Sequence, residues 1–188
     1  MPRRRLLAPL AAVMLAGCGS EPASFELPAG ARPIGAGARF QPALADVAVP
    51  GCRRGPLGER HGAHLELFGD GKVVLFARGI GTRGPRETIG GRISGARCFG
   101  PVVTIDPTGL VLLRPGTRAT VGDVFALWGQ PLSRRRAASF RGAVRVYVNG
   151  RRVGGPPQDI PLGVHDQIVL QVGEYVPPHA SYYFPGPY

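Results

Sequence analysis

Alternation of apolar and polar residues organises the chain from His64 onward. His64-Leu65-Glu66-Leu67 switches character at each step and ends at Phe68, the period of a strand with two different faces. Gly69-Asp70-Gly71 interrupts it with turn residues before a second strand-like run, Lys72 to Ala77. Pro101–Ile105 and Leu110–Leu113 make another pair, joined through Asp106-Pro107-Thr108-Gly109, whose residues favour a tight turn. Thr120-Val121-Gly122-Asp123 has capping-box spacing, with the acidic residue three positions after the cap. Val121, Val124, Phe125 and Trp128 then recur at helical spacing, and Gly129 and Pro131 are stop signals, so a short helix over 121–128 is predicted. Ala143 to Val148 alternates again, Asn149-Gly150 calls for a type I′ turn, and Arg151-Arg152-Val153 begins the return strand. Gln167–Val172 is a further strand. The Pro- and aromatic-rich residues 173–188 read as an extended tail covering a sheet edge.

Several short strands with one helix predict an α+β domain, a small and mostly antiparallel sheet packed across a single helix in the manner of a β-grasp. Two segments resemble each other, Ala63 to Val73 and Ala143 to Val153, each an alternating strand, a Gly-containing turn and a basic return. Shared turn rules account for this more simply than a duplicated hairpin. The whole pattern fits one domain over 51–188. Upstream, residues 19–50 are rich in Ala, Gly and Pro without sustained periodicity and read as a tether, although Ala43 to Val49 is apolar enough to pack on the domain.

The first residues carry a separate message. Arg3-Arg4-Arg5 precedes an apolar run from Leu6 to Leu15 interrupted only by Pro9, too short to remain as a membrane span and suited to a cleaved export signal, residues 1–17. Leu15-Ala16-Gly17-Cys18 matches the bacterial lipobox, in which the cysteine is acylated by fatty acid such as palmitate and becomes the new N-terminus. Residues 18–50 then form the lipidated tether, and the domain is expected on the extracytoplasmic face of the cell membrane. Composition adjusts the picture. Charge is +11 from 23 basic and 12 acidic residues, and cleavage removes three arginines to leave +8. Gly and Pro together number 49, which raises the prior for disorder, but 44% apolar residues are too many for a wholly disordered chain.

From Cys52 onward the chain resembles an uncharacterised family of exported or membrane-anchored bacterial proteins. Val121-Gly122-Asp123-Val124-Phe125-Ala126-Leu127-Trp128-Gly129-Gln130-Pro131-Leu132 matches its L-G-x-F-F-x-x-W-G-Q-P-L helix motif, and Tyr147-Val148-Asn149-Gly150 and His165-Asp166-Gln167-Ile168 match a strand pair. The family's H-x-H-x-H-L stretch is thinned here to His61-Gly62-Ala63-His64. Its C-x-Y-W-L-H-T-H-D motif, with a further histidine in the return strand, aligns from Cys98 with Val103, Ile105 and Leu112 in place of three histidines. A two-residue loop at Pro107-Thr108 pairs Val103 with Leu112, and Val103 and Ile105 share a face, so the three positions lie together. In the family, three imidazoles there have the donor chemistry for a transition metal. Aliphatic side chains do not, and burying each of these contributes roughly 1.5–3 kcal/mol. Cys52 and Cys98 both correspond to family cysteines and remain after lipidation, so the resemblance and an oxidising compartment imply a disulfide, against two buried free thiols.

Candidate chemistry is sparse. His61, His64 and His165, with His179, are weak metal candidates for copper or zinc, because an i, i+3 pair on a strand points to opposite faces unless His61 lies in a loop. Arg134-Arg135-Arg136, followed by Arg141, Arg145, Arg151 and Arg152, offer a stripe for anionic cell-envelope polymers or lipid headgroups, against the plainer reading of a solvated basic surface. Basic runs without interleaved aromatics do not suggest nucleic acid. Ser133, Ser139 and Ser181 lack a nucleophile context, and Asp106 alone specifies no catalysis. No cofactor and no catalytic residue is expected. The expected function is a non-catalytic, lipid-anchored binding or structural module, the alternative being a degenerate metal-binding protein.

Overall fold

β1 (His61–Gly69) runs through the middle of a mixed sheet. A computed structural model describes residues 34–188; the signal segment, Cys18 and the first part of the tether lie outside the described residues. One edge of β1 is shared by β2 (Lys72–Val74) and β6 (Leu110–Leu113), both antiparallel, and β5 (Val102–Thr104) pairs outside β6. The other edge pairs in parallel with β12 (Gln167–Val172), which is followed outward by β10 (Val144–Val148) and β11 (Arg151–Val153). The class is α+β, as expected, with one parallel pair at its centre. The two similar hairpins thus contribute β1 and β10, which flank β12 on opposite sides.

Local signals placed several elements where the pattern puts them. In α1 (Val121–Trp128) the Thr120 side chain accepts from the Asp123 amide, and the Asp123 carboxylate accepts from the Thr120 amide at 2.8 Å. Gly129 ends the helix in the left-handed region at φ +73°. Asn149 and Gly150 both have positive φ, +51° and +77°, as a type I′ turn requires. Val103 faces Leu112 across the β5–β6 pair, the register its turn dictates.

The sheet is apolar on both sides, and each side is covered differently. Odd residues of β1 (Ala63, Leu65, Leu67), with Val111, Leu113, Ile168 and Leu170, are buried in one cluster with Val121, Val124, Phe125 and Trp128 of α1. The other side carries Val103, Ile105, Leu110 and Leu112 against Ile93 and Phe99, capped by Tyr182, Phe184 and Tyr188 from the tail. Farther along the same side, Phe68, Tyr147 and Val169 bury Val176. The tail therefore crosses the face of the sheet instead of covering an edge. Its path is pinned by polar side chains of the sheet. The Gln171 amide donates to the Val176 carbonyl and accepts from the Val176 amide. Gly62 makes room for it: a Cβ there would lie 2.8 Å from the Phe184 ring.

Three features escaped the pattern, and a fourth was anticipated only for Ala43 to Val49. β3 (Thr82–Ile89) and β4 (Arg92–Phe99) form a long, largely exposed hairpin, and β7 (Leu132–Ser133), β8 (Arg136–Ala137) and β9 (Phe140–Arg141) form a small separate sheet. β2 stops at Val74, short of Ala77. Folded chain also begins before residue 51. Phe40 packs on Phe140 with ring centres 5.3 Å apart, the Ala45 amide donates to the Trp128 carbonyl, and Arg39 pairs with Asp70 at 2.7 Å. The stretch 34–50 is thus part of the domain's surface layer.

Leu112 has no exposed surface and sits between β5, β1 and the tail. Leu112→Ala is expected to cost about 2–5 kcal/mol through lost transfer energy and a residual cavity, read as a lowered urea midpoint.

Candidate functional site

Val103, Ile105 and Leu112, the three positions set against histidines in the resemblance above, are all buried and packed beneath tail aromatics. They are core. The histidine that does occupy this side of the sheet is His64, buried to 3% exposure and stacked on Tyr182 with ring centres 3.6 Å apart and 7° between planes. Its Nε2 donates to the Thr108 carbonyl at 2.9 Å, and its Nδ1 lies 2.7 Å from the side-chain amide of Gln167. With Nε2 carrying the proton, Nδ1 is an acceptor, which the Gln167 side chain satisfies once its amide is turned so that the NH2 takes the place of the Oε1 that faces the ring. That orientation also gives a partner to a Gln167 nitrogen otherwise buried without one.

The remaining weak metal candidates are dispersed. His61 opens β1 and, by alternation, lies on the opposite face from His64. His165 packs against Phe184 and its Nε2 contacts the Tyr188 carbonyl, and His179 pairs with Glu66 at 2.9 Å. Among the described residues no three His, Cys, Asp or Glu side chains are grouped for a metal ion. Asp106 accepts hydrogen bonds from the Thr108 amide and hydroxyl and pairs with Arg92 at 3.3 Å, so its carboxylate holds the β5–β6 turn.

The arginine run lies on the small sheet. Arg134 and Arg135 are exposed, and their carbonyls accept from Val144 and Gly142. The Arg136 guanidinium donates to the Ala138 carbonyl, and that of Arg145 to Gly173 and Glu174. Two members of the stripe therefore serve as backbone ties, while Arg151 and Arg152 stay exposed.

A denser cationic site lies elsewhere. The Cys52–Cys98 disulfide joins the loop before β1 to β4, with Cα atoms 5.5 Å apart. Beside it, the backbones of Arg53 and Phe99 exchange two hydrogen bonds, at 3.0 and 2.9 Å. This docks residues 53–60 over the start of the β5 segment and the end of β6, around a cavity of about 310 Å³ lined by Arg53, Arg54, Arg60 and Arg114, with Leu57, Phe99 and Glu59. Arg60 is 5% exposed and donates to the carbonyls of Leu57, Gly100 and Pro101. Arg114 donates to those of Gly51 and Phe99. Among the described residues, none of the four arginines has a carboxylate within ion-pair distance. Burial first, and the Arg114 charge second, lower the Arg60 pKa to about 10. Burial and then Arg53 lower that of Arg114. Both stay cationic at neutral pH, where the shift in Arg60 opposes folding, since the unfolded chain holds that proton more tightly.

Neither the spacing of these arginines nor their number marks them out. They come from three segments, and only the position of Arg53-Arg54 next to Cys52 hints at the grouping. Comparison with family models, curated proteins and solved structures finds no match to this chain, so the reading rests on its own residues.

The disulfide closes a span of 46 residues. Replacing both cysteines by serine is expected to cost on the order of 4 kcal/mol in chain-entropy terms. Thermal unfolding of the oxidised chain beside the double variant measures it; equal midpoints would mean the bridge constrains nothing.

Proposed function

We propose that this chain is a lipid-anchored extracytoplasmic protein whose domain, built on a β-grasp-like plan, binds an anionic component of the cell envelope and performs no catalysis. The observation that carries the reading is the Cys52–Cys98 disulfide, because such bridges persist in oxidising compartments outside the cytosol. The lipobox at Leu15–Cys18 supports the same compartment from an independent part of the chain. Among the described residues no helix is long and apolar enough to cross a membrane, so in this reading the acyl group on Cys18 provides the attachment.

Strand order supports the β-grasp-like plan. Two central strands, β1 and β12, run parallel, each flanked outward by antiparallel partners, and α1 packs across one face. Membership in the family of exported bacterial proteins belongs to this proposal too, carried by the α1 and Tyr147–Gly150 motifs. The binding role draws on the arginine excess of the chain and on the arginine-lined cavity beside the disulfide. A non-catalytic role fits the way His64 and Asp106 are engaged, each holding backbone of the β5–β6 turn.

Mass spectrometry of the full-length chain made in an exporting bacterium tests the anchor. The expected N-terminal peptide begins at Cys18 with an attached acylated glycerol, and Cys18→Ser abolishes the acylation. A soluble chain that keeps residues 1–17 unmodified overturns the reading.

A further inference from the structure

We infer that the cavity between the 53–60 loop and Arg114 is a binding site for a phosphate ester, its oxygens held by Arg53, Arg54 and Arg114 above a floor supplied by Arg60. The inference deepens the binding role proposed above, and rests on it only in taking an anion as the ligand.

Charge is the first argument. Four guanidinium groups and one carboxylate, Glu59, line a single void of about 310 Å³. That size is at the small end of ligand sites and suits a phosphate with a compact substituent. Like charges gathered around a partly desolvated space repel, and the lowered pKa of Arg60 and Arg114 reports that repulsion together with burial. A dianion placed among them offsets most of the excess.

Geometry is the second. A guanidinium has five N–H donors. Arg60 uses three of its contacts on carbonyls and Arg114 two, while no side-chain hydrogen bond to protein engages Arg53 or Arg54 among the described residues. Donors thus remain on several sides of the void. A planar carboxylate matches one fork, whereas a tetrahedral phosphate presents oxygens to several at once, which favours phosphate as the occupant. The apolar wall of Leu57 and Phe99 accommodates the carbon side of an ester.

Rigidity is the third. Arg53 follows directly on a disulfide and is paired through its backbone with Phe99, so its side chain starts from a fixed point. Arg60 leads into β1 and Arg114 follows β6, neighbouring strands in the interior of the sheet. Little ordering of the backbone is needed when a ligand arrives, which favours affinity.

The test is calorimetric titration of the full-length Cys18→Ser chain with glycerol 3-phosphate, inorganic phosphate and, as control, glycerol at matched ionic strength. A single saturating site for the phosphate probes is expected, weakened by about tenfold or more in Arg53→Gln/Arg54→Gln. Those two side chains are exposed, so the variant keeps the fold, and circular dichroism verifies it. Arg134→Gln/Arg135→Gln/Arg136→Gln should bind as the parent does. Vesicles of phosphatidylcholine with and without phosphatidylglycerol distinguish the source: binding that needs the anionic lipid and is competed by glycerol 3-phosphate assigns a lipid headgroup, and its absence beside soluble binding assigns a free ester. No saturating heat with either phosphate probe, or equal loss in the 134–136 variant, overturns the site. Acylation at Cys18 is read separately, so the site and the anchor stand or fall independently.

Discussion

All six residues of β12 are buried, and that constraint shapes the rest of the molecule. A strand buried on both sides cannot sit in a sheet with one wet face, so two covering layers are required. α1 is the regular one, with its cap, its apolar stripe and its glycine stop. The other is assembled from irregular pieces: one side of β4 from the exposed hairpin, the loop before β1, and the last dozen or so residues laid across the sheet. An irregular layer exposes backbone polar groups that the sheet's own side chains must satisfy. Gln171 does so for Val176, and His64, tied to Thr108, offers its ring face to Tyr182. The polar residues on this side of the sheet are thus fasteners for the second layer.

The disulfide belongs to the same problem. A layer built from a loop and an extended tail buries less per ordered residue than a helix and pays the same backbone entropy. Joining Cys52 to Cys98 removes part of that entropy from the unfolded chain and fixes the loop on β4. Its position also decides where the arginines gather, because the residues that follow Cys52 are carried onto Phe99 and over Arg114.

What was legible in the sequence was what short-range chemistry specifies. The capping box fixes α1, Asn149-Gly150 fixes the β10–β11 hairpin, and the turn at Pro107-Thr108 fixes Val103 opposite Leu112. The β3–β4 hairpin was not legible, since most of β3 is exposed and shows no apolar alternation; Gly90-Gly91 at its tip was the one available signal. The tail could be read as extended but not placed, because nothing local says whether a ring covers an edge or a face. The site was hidden for a related reason. Arg134-Arg135-Arg136 is conspicuous as a run, yet its side chains spread over a small sheet, whereas the loop that carries Arg53 and Arg60 is far in sequence from Arg114 and is brought beside it by a covalent bridge and strand pairing.

A purely structural account of those arginines is incomplete. Arg60 does clamp three carbonyls, and Arg114 two, and long donors are useful where an irregular layer meets the sheet. Carbonyls, however, accept equally from neutral donors, and a neutral side chain would avoid both the desolvation and the mutual repulsion that lower the Arg60 and Arg114 pKa values. Arg53 and Arg54 add further positive charge at the rim, where no side-chain hydrogen bond engages either among the described residues, and Glu59 is the one carboxylate those residues contribute to the lining. Charge that the fold does not use, held on a rigid frame and pointed around one void, is accounted for when an anion completes the set.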